Sequence, residues 1–120
     1  MDTRSKILTL AAALELRPAP AIATGYFDVL RADDARDLGR VRLHPLLVVV
    51  LPLANEILSQ RARAEMVAAL RVVDYVVTAG DGDVERLIDG LRPAEFVRLE
   101  AADARRTKQL IEHVHRRQTS

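Results

Sequence analysis

Cysteine is absent from the 120 residues, tryptophan is absent too, and two Phe and two Tyr bring the aromatic content to only 3%. Without cysteine there is no disulfide framework, no thiolate zinc site and no cysteine nucleophile. So few rings leave no platform on which single-stranded bases could stack. Nor is there a surplus of one charge sign: 18 Lys and Arg face 17 Asp and Glu, a formal net charge of +1. That balance implies no electrostatic pull towards nucleic acid. A membrane span is missing as well, because the apolar stretch Ile7 to Leu16 is too short to cross a bilayer. Ser5, Thr9 and Glu15 dilute it, and Arg17-Pro18 follows without a cleavage run, so it does not read as a signal peptide. It reads as a short amphipathic helix packed on a soluble domain, with the cytoplasm as the expected compartment.

Apolar residues make up 49% of the chain and charged residues 29%, which suits one globular domain spanning residues 1–120. Leu46 to Leu51 is an uninterrupted apolar run, β-branched in its middle and stopped by Pro52. Such a run predicts a strand buried on both faces of a parallel sheet. Tyr75-Val76-Val77-Thr78 predicts another, Ala21 to Thr24 a first strand ending at Gly25, and Glu95 to Leu99 a fourth. Helical spacing lies between them. Ser59 is the expected N-cap of a helix whose inner face carries Ala62, Met66, Ala69, Leu70 and Val73. Val84, Leu87, Ile88 and Leu91 fall at i, i+3, i+4 and i+7, with Asp83 as the expected cap and Gly90 and Pro93 at the end. Thr107, Leu110, Ile111 and Val114 repeat that spacing, and a further helix is expected from Ala32 to Val41. This alternation predicts an α/β fold, an open Rossmann-like parallel sheet of four or five strands with helices on both faces. Ligands of such sheets bind beyond the carboxyl ends of the strands, where the strand order reverses. The loop from Thr24 to Arg31 and the segment after Leu99 are therefore the places to examine.

Gly25-Tyr26-Phe27-Asp28-Val29-Leu30 resembles the first strand–loop–helix of the cytidylyltransferase-like nucleotidyltransferases, whose motif runs Gly-x-Phe-Asp-x-x-His-x-Gly-His. The block from Arg63-Ala64-Glu65-Met66 to Asp74-Tyr75-Val76-Val77 is similar to the helix and strand after the nucleotide loop in glycerol-3-phosphate cytidylyltransferases and in the nucleotidyltransferase domain of ADP-heptose synthases. Leu91-Arg92-Pro93 and Lys6-Ile7-Leu8-Thr9-Leu10 resemble other parts of the same frame, so the likeness runs from about Ser5 to Gln118. The resemblance implies nucleotidyl transfer, in which a substrate phosphate attacks the α-phosphate of CTP or ATP and expels pyrophosphate. Such an enzyme works by positioning and by stabilising phosphate charge.

The chain departs from that motif where the chemistry sits. Matching Phe27-Asp28 puts Arg31 at the first His, Asp33 at the Gly and Asp34 at the second His. A carboxylate about 4 Å from a phosphate charge costs about 4 kcal/mol at an effective dielectric of about 20, roughly a thousandfold in affinity. Asp33 and Asp34 are better explained as first-turn acids that favour a helix N-terminus. The family's Ser/Thr-rich turn is matched only by Arg105-Arg106-Thr107-Lys108, a set that holds a phosphate or forms a solvated basic face. Leu99-Glu100-Ala101-Ala102-Asp103 replaces the family's Gly-Gly-Asp, and a strand and helix of the family are missing.

Other candidates read as ordinary structure. His113 and His115, two apart on a helix, do not share a face and so do not suit a metal pair. His44-Pro45 reads as a turn, and Asp81-Gly82-Asp83 is too short for a calcium loop. Asp28 either acts on a ligand or holds backbone N–H groups in its loop. The leading expectation is a catalytically degenerate nucleotidyltransferase domain that binds nucleotide weakly or binds a protein. On that view Gly25, Phe27, Asp28, Arg31, Arg105, Arg106, Thr107 and Lys108 form the nucleotide site, with CTP or ATP and Mg as ligand. The alternatives are an active nucleotidyltransferase, with Arg31 as phosphate clamp and Asp28 or Asp34 on the metal, and a ligand-free structural homodimer, the assembly the resemblance implies.

Overall fold

The computed structural model describes residues 3–28, 32–41, 45–80 and 82–100, with the backbone alone for 32–34. A 3-10 turn, Thr3–Lys6, leads into β1 (Ile7–Leu8), α1 (Leu10–Leu14), β2 (Ala21–Gly25), α2 (Ala32–Gly39) and β3 (Leu46–Val50). Then come α3 (Gln60–Ala68), β4 (Tyr75–Thr78), α4 (Asp83–Leu91) and β5 (Phe96–Arg98). The five strands form one sheet in the order β1-β4-β3-β2-β5, and every neighbouring pair is parallel. This is the Rossmann-like α/β fold that the alternating pattern predicts. No helix among the described residues is long and apolar enough to cross a membrane.

The sheet is buried on both sides, and alternation along each strand sorts its side chains between two cores. Ala21, Ala23, Leu46, Val48, Val50 and Val76 face a layer containing Leu38 of α2 and Ala64, Val67 and Ala68 of α3. Ile22, Leu47, Val49 and Val77 face the opposite layer, with Ala13 of α1 and Val84, Leu87 and Leu91 of α4. Every residue of β2 and β3 is buried, which is why neither strand shows a polar alternation in the sequence. Burying each such Val, Leu or Ile contributes about 1.5–3 kcal/mol relative to leaving it exposed.

Three local expectations are corrected. The stretch Ile7 to Leu16 is not one helix: Ile7 and Leu8 form β1 beside Val76 and Val77, and the helix spans only Leu10–Leu14. The reason lies in flanking polar groups. Lys6 donates through Nζ to the carbonyls of Val73 (2.8 Å) and Leu70 (3.2 Å), drawing the chain along β4, and the Thr9 hydroxyl caps α1 by accepting from Ala12 N–H at 3.1 Å.

In α3, Ser59 caps the helix by accepting from Ala62 N–H at 3.1 Å, but the inner face is Arg63, Ala64, Val67 and Ala68. Met66 is 40% exposed. The alanines give this segment little hydrophobic contrast, so the spacing does not fix its rotation. The third correction concerns α4, where Gly82 is the cap and Asp83 the first helical residue. Its carboxylate accepts from Gly80 N–H at 2.7 Å. Gly90 lies inside that helix, and Arg92 closes it with a left-handed φ of 49°.

Candidate functional site

The chain steps outward from β2 to β3 to β4, then returns to place β5 on the free side of β2. The strand order therefore reverses between β2 and β5, and the crevice beyond their carboxyl ends is the favoured ligand position of this architecture. The register sets Thr24 opposite Arg98 there.

β2 ends at Gly25, which is buried and accepts from Leu51 N–H at 2.9 Å through its carbonyl. Two residues later the chain takes φ = 53° at Phe27, and this folds the ring back into the core with 2% exposure. The ring lies over Gly25, so a Cβ there would sit 2.7 Å from two ring carbons. Glycine is required by that approach. Phe27 thus fastens the loop to the α2–α3 side of the sheet, with its ring turned away from solvent.

Asp28 reaches from this loop to the next. Its carboxylate accepts from the N–H of Ile57 (2.9 and 3.0 Å, one bond to each oxygen) and from Leu58 N–H (2.9 Å). These backbone donors, with help from the Arg63 guanidinium, hold its pKa below the ordinary 3.8, against a smaller opposing effect of desolvation. A depressed folded value means that the Asp28 contribution to stability is complete at neutral pH and is lost as pH falls below about 4. Asp28→Asn is expected to lower the melting temperature at pH 7 and to flatten its decline between pH 4 and pH 2. An unaltered acid limb in thermal melts of the variant would show that Asp28 is not titrating against the fold.

Arg63 lies beneath both loops with its side chain fully buried. It donates to the carbonyls of Tyr26 (2.7 Å), Leu51 (2.8 Å) and Leu58 (3.2 Å), and to a Glu56 carboxylate oxygen at 2.8 Å. Gln60, the first residue of α3, donates through Nε2 to Val50 O (2.9 Å) and Ala79 O (2.8 Å), closing the gap where β3 and β4 part. At the β2–β5 crevice the Thr24 hydroxyl donates to Glu100 Oε2 at 2.7 Å. The second Glu100 oxygen lies 3.5 Å from Arg98 Nη1, and the same guanidinium sits 5.0 Å from the centroid of the Phe96 ring.

Of the residues singled out from sequence, Gly25, Phe27 and Asp28 are brought together at the carboxyl edge. Arg31, Arg105, Arg106, Thr107, Lys108, His44, Asp81, His113 and His115 lie outside the described residues, as do the side chains of Asp33 and Asp34. The two regions marked for examination do meet, through the Thr24–Glu100 bond. Sequence reasoning assigned no role to Arg63, Gln60 or Glu100. Only Glu100 left a signal, as a charged residue within the stretch that replaces the resembled family's Gly-Gly-Asp.

Clefts lined by described residues also occur elsewhere. One of about 480 Å³, at the amino end of β5, is lined by Ile88, Asp89, Arg92, Pro93 and Phe96. Another of about 300 Å³ follows β5 past Asp37, Arg40, Val41, Val97, Arg98 and Leu99, and so shares Arg98 with the Thr24–Glu100 contact. Neither is lined by Gly25, Phe27 or Asp28. Among the described residues no group of three His, Asp or Glu is placed to hold a metal ion. The Asp28 carboxylate accepts from two backbone N–H groups, which occupy part of its capacity as an acceptor.

No protein-family model matches the sequence, and no curated protein matches it. Among solved structures, the chain is similar to the lipopolysaccharide core biosynthesis protein from Thermoplasma volcanium. The TM-score is 0.58 at 19% identity, over 66% of this chain and 93% of that one. At that identity the likeness is one of fold: the two share a Rossmann-like α/β architecture.

Proposed function

We propose that the chain is a nucleotidyltransferase-like scaffold without transferase chemistry, acting as a weak nucleotide-binding or protein-interaction module. The observation that carries this reading is the commitment of Asp28 to the backbone N–H groups of Ile57 and Leu58. A carboxylate so engaged serves as a strut between two loops. The sequence supports the same reading, since Arg31, Asp33 and Asp34 stand where the resembled motif has His, Gly and His. On this view Arg105, Arg106, Thr107 and Lys108 supply whatever phosphate affinity the module keeps.

The test is release of pyrophosphate from CTP and from ATP, with Mg and a phosphorylated acceptor such as glycerol 3-phosphate, read by a coupled pyrophosphatase assay. No release above the protein-free control is expected. Release that scales with protein concentration would overturn the proposal.

A further inference from the structure

An anion, the Glu100 carboxylate, stands at the strand reversal, where this architecture places its ligands. Thr24 is fully buried, and its hydroxyl, the polar group that β2 offers to this crevice, is taken by Glu100 Oε2 at 2.7 Å. The Glu100 side chain is only 15% exposed, so its charge is poorly screened by solvent. Among the described residues its cationic partner is Arg98, at a long 3.5 Å; Arg98 is 53% exposed, and its guanidinium also sits by the Phe96 ring. An incoming phosphate there meets a fixed negative charge and a donor that is already spent.

We propose that Glu100 is the residue that weakens polyphosphate binding at this strand reversal, its carboxylate standing against an incoming phosphate. This rests on the reading above, that the fold is a nucleotide-binding scaffold, and adds the residue that weakens it. Glu100→Gln keeps an oxygen to accept from Thr24 and removes only the charge. Thr24→Val removes the hydroxyl and leaves the charge in place. Glu85→Gln, on the exposed first turn of α4, makes the same change in net charge on a different element.

The experiment is calorimetric titration of the full chain and these three variants with CTP and with sodium pyrophosphate, alongside amide chemical-shift mapping. Glu100→Gln is expected to bind CTP about a hundredfold tighter than the parent chain, the size of a partly screened unit-charge repulsion at roughly 5 Å. Shifts should centre on Thr24 and Gly25. Glu85→Gln and Thr24→Val are expected to show no tightening. Equal affinity of Glu100→Gln and the parent would overturn the role of Glu100, and so would no binding by either at ten-millimolar ligand. If Glu100→Gln fails to give the parent's melting transition, Glu100→Ala is read by the same criteria. The scaffold reading fails separately: pyrophosphate release by the parent chain would refute it whatever the titrations give.

Discussion

Arg63→Met is expected to lower the unfolding free energy by about 3–5 kcal/mol, the usual cost of breaking a buried charged network on one side. Methionine fills the volume of the stem but leaves the carbonyls of Tyr26, Leu51 and Leu58 without the donor they share. Each buried acceptor left unsatisfied costs about 1–3 kcal/mol, and partial relaxation towards solvent keeps the sum from being additive. A domain of this size has about 5–15 kcal/mol in total, so the variant sits near the threshold of folding. Arg63→Lys should fall between, because one ammonium cannot reproduce a fork that spans three carbonyls and a carboxylate. Glu56→Gln should cost less than about 1 kcal/mol, since the Glu56 side chain is 39% exposed and its pair is screened. Urea denaturation of the three variants measures the series. If Arg63→Met stays within about 1 kcal/mol of the parent, the guanidinium is not what holds the loops.

The second large effect is expected at Phe27. Truncation to alanine empties a fully packed site and should cost about 3–5 kcal/mol. The more discriminating measurement couples it to Gly25. Alone, Gly25→Ala drives a methyl to 2.7 Å from ring carbons that cannot retreat, since the ring is itself buried. Overpacking of this kind costs about 1–3 kcal/mol. In the Phe27→Ala background the methyl enters the space the ring left, and the cost should fall below about 1 kcal/mol. A double-mutant cycle by urea denaturation reads the difference as the coupling. Equal costs in both backgrounds would mean that something other than the ring demands glycine at the end of β2.

The strands of this fold were legible because they are buried on both faces: an unbroken run such as Leu46 to Leu51 has few other solutions. α4 was legible because Val84, Leu87 and Leu91 stand out against charged neighbours. What could not be read was non-local. Arg63 looks like a surface cation on a helix, and only folding brings three carbonyls from two loops around it. Asp28 meets partners about thirty positions away, at Ile57 and Leu58, and Thr24 meets Glu100 across 76 positions. β1 is two residues long, too short for any period to declare itself. Its place depends on Lys6 finding carbonyls 64 and 67 positions away. The candidate site was half legible for the same reason: its location follows from topology, whereas the partners of its side chains do not.

That short first strand also has a bearing on association between molecules. β4, with the sequence Tyr-Val-Val-Thr, is the β-prone kind of segment that recruits a foreign strand when its outer hydrogen-bonding groups are bare. Ile7 and Leu8 cover those groups, and they are themselves too brief an edge to template another chain. A tag or cleavage that disturbs these few residues therefore uncovers a ribbon that neighbouring copies can extend.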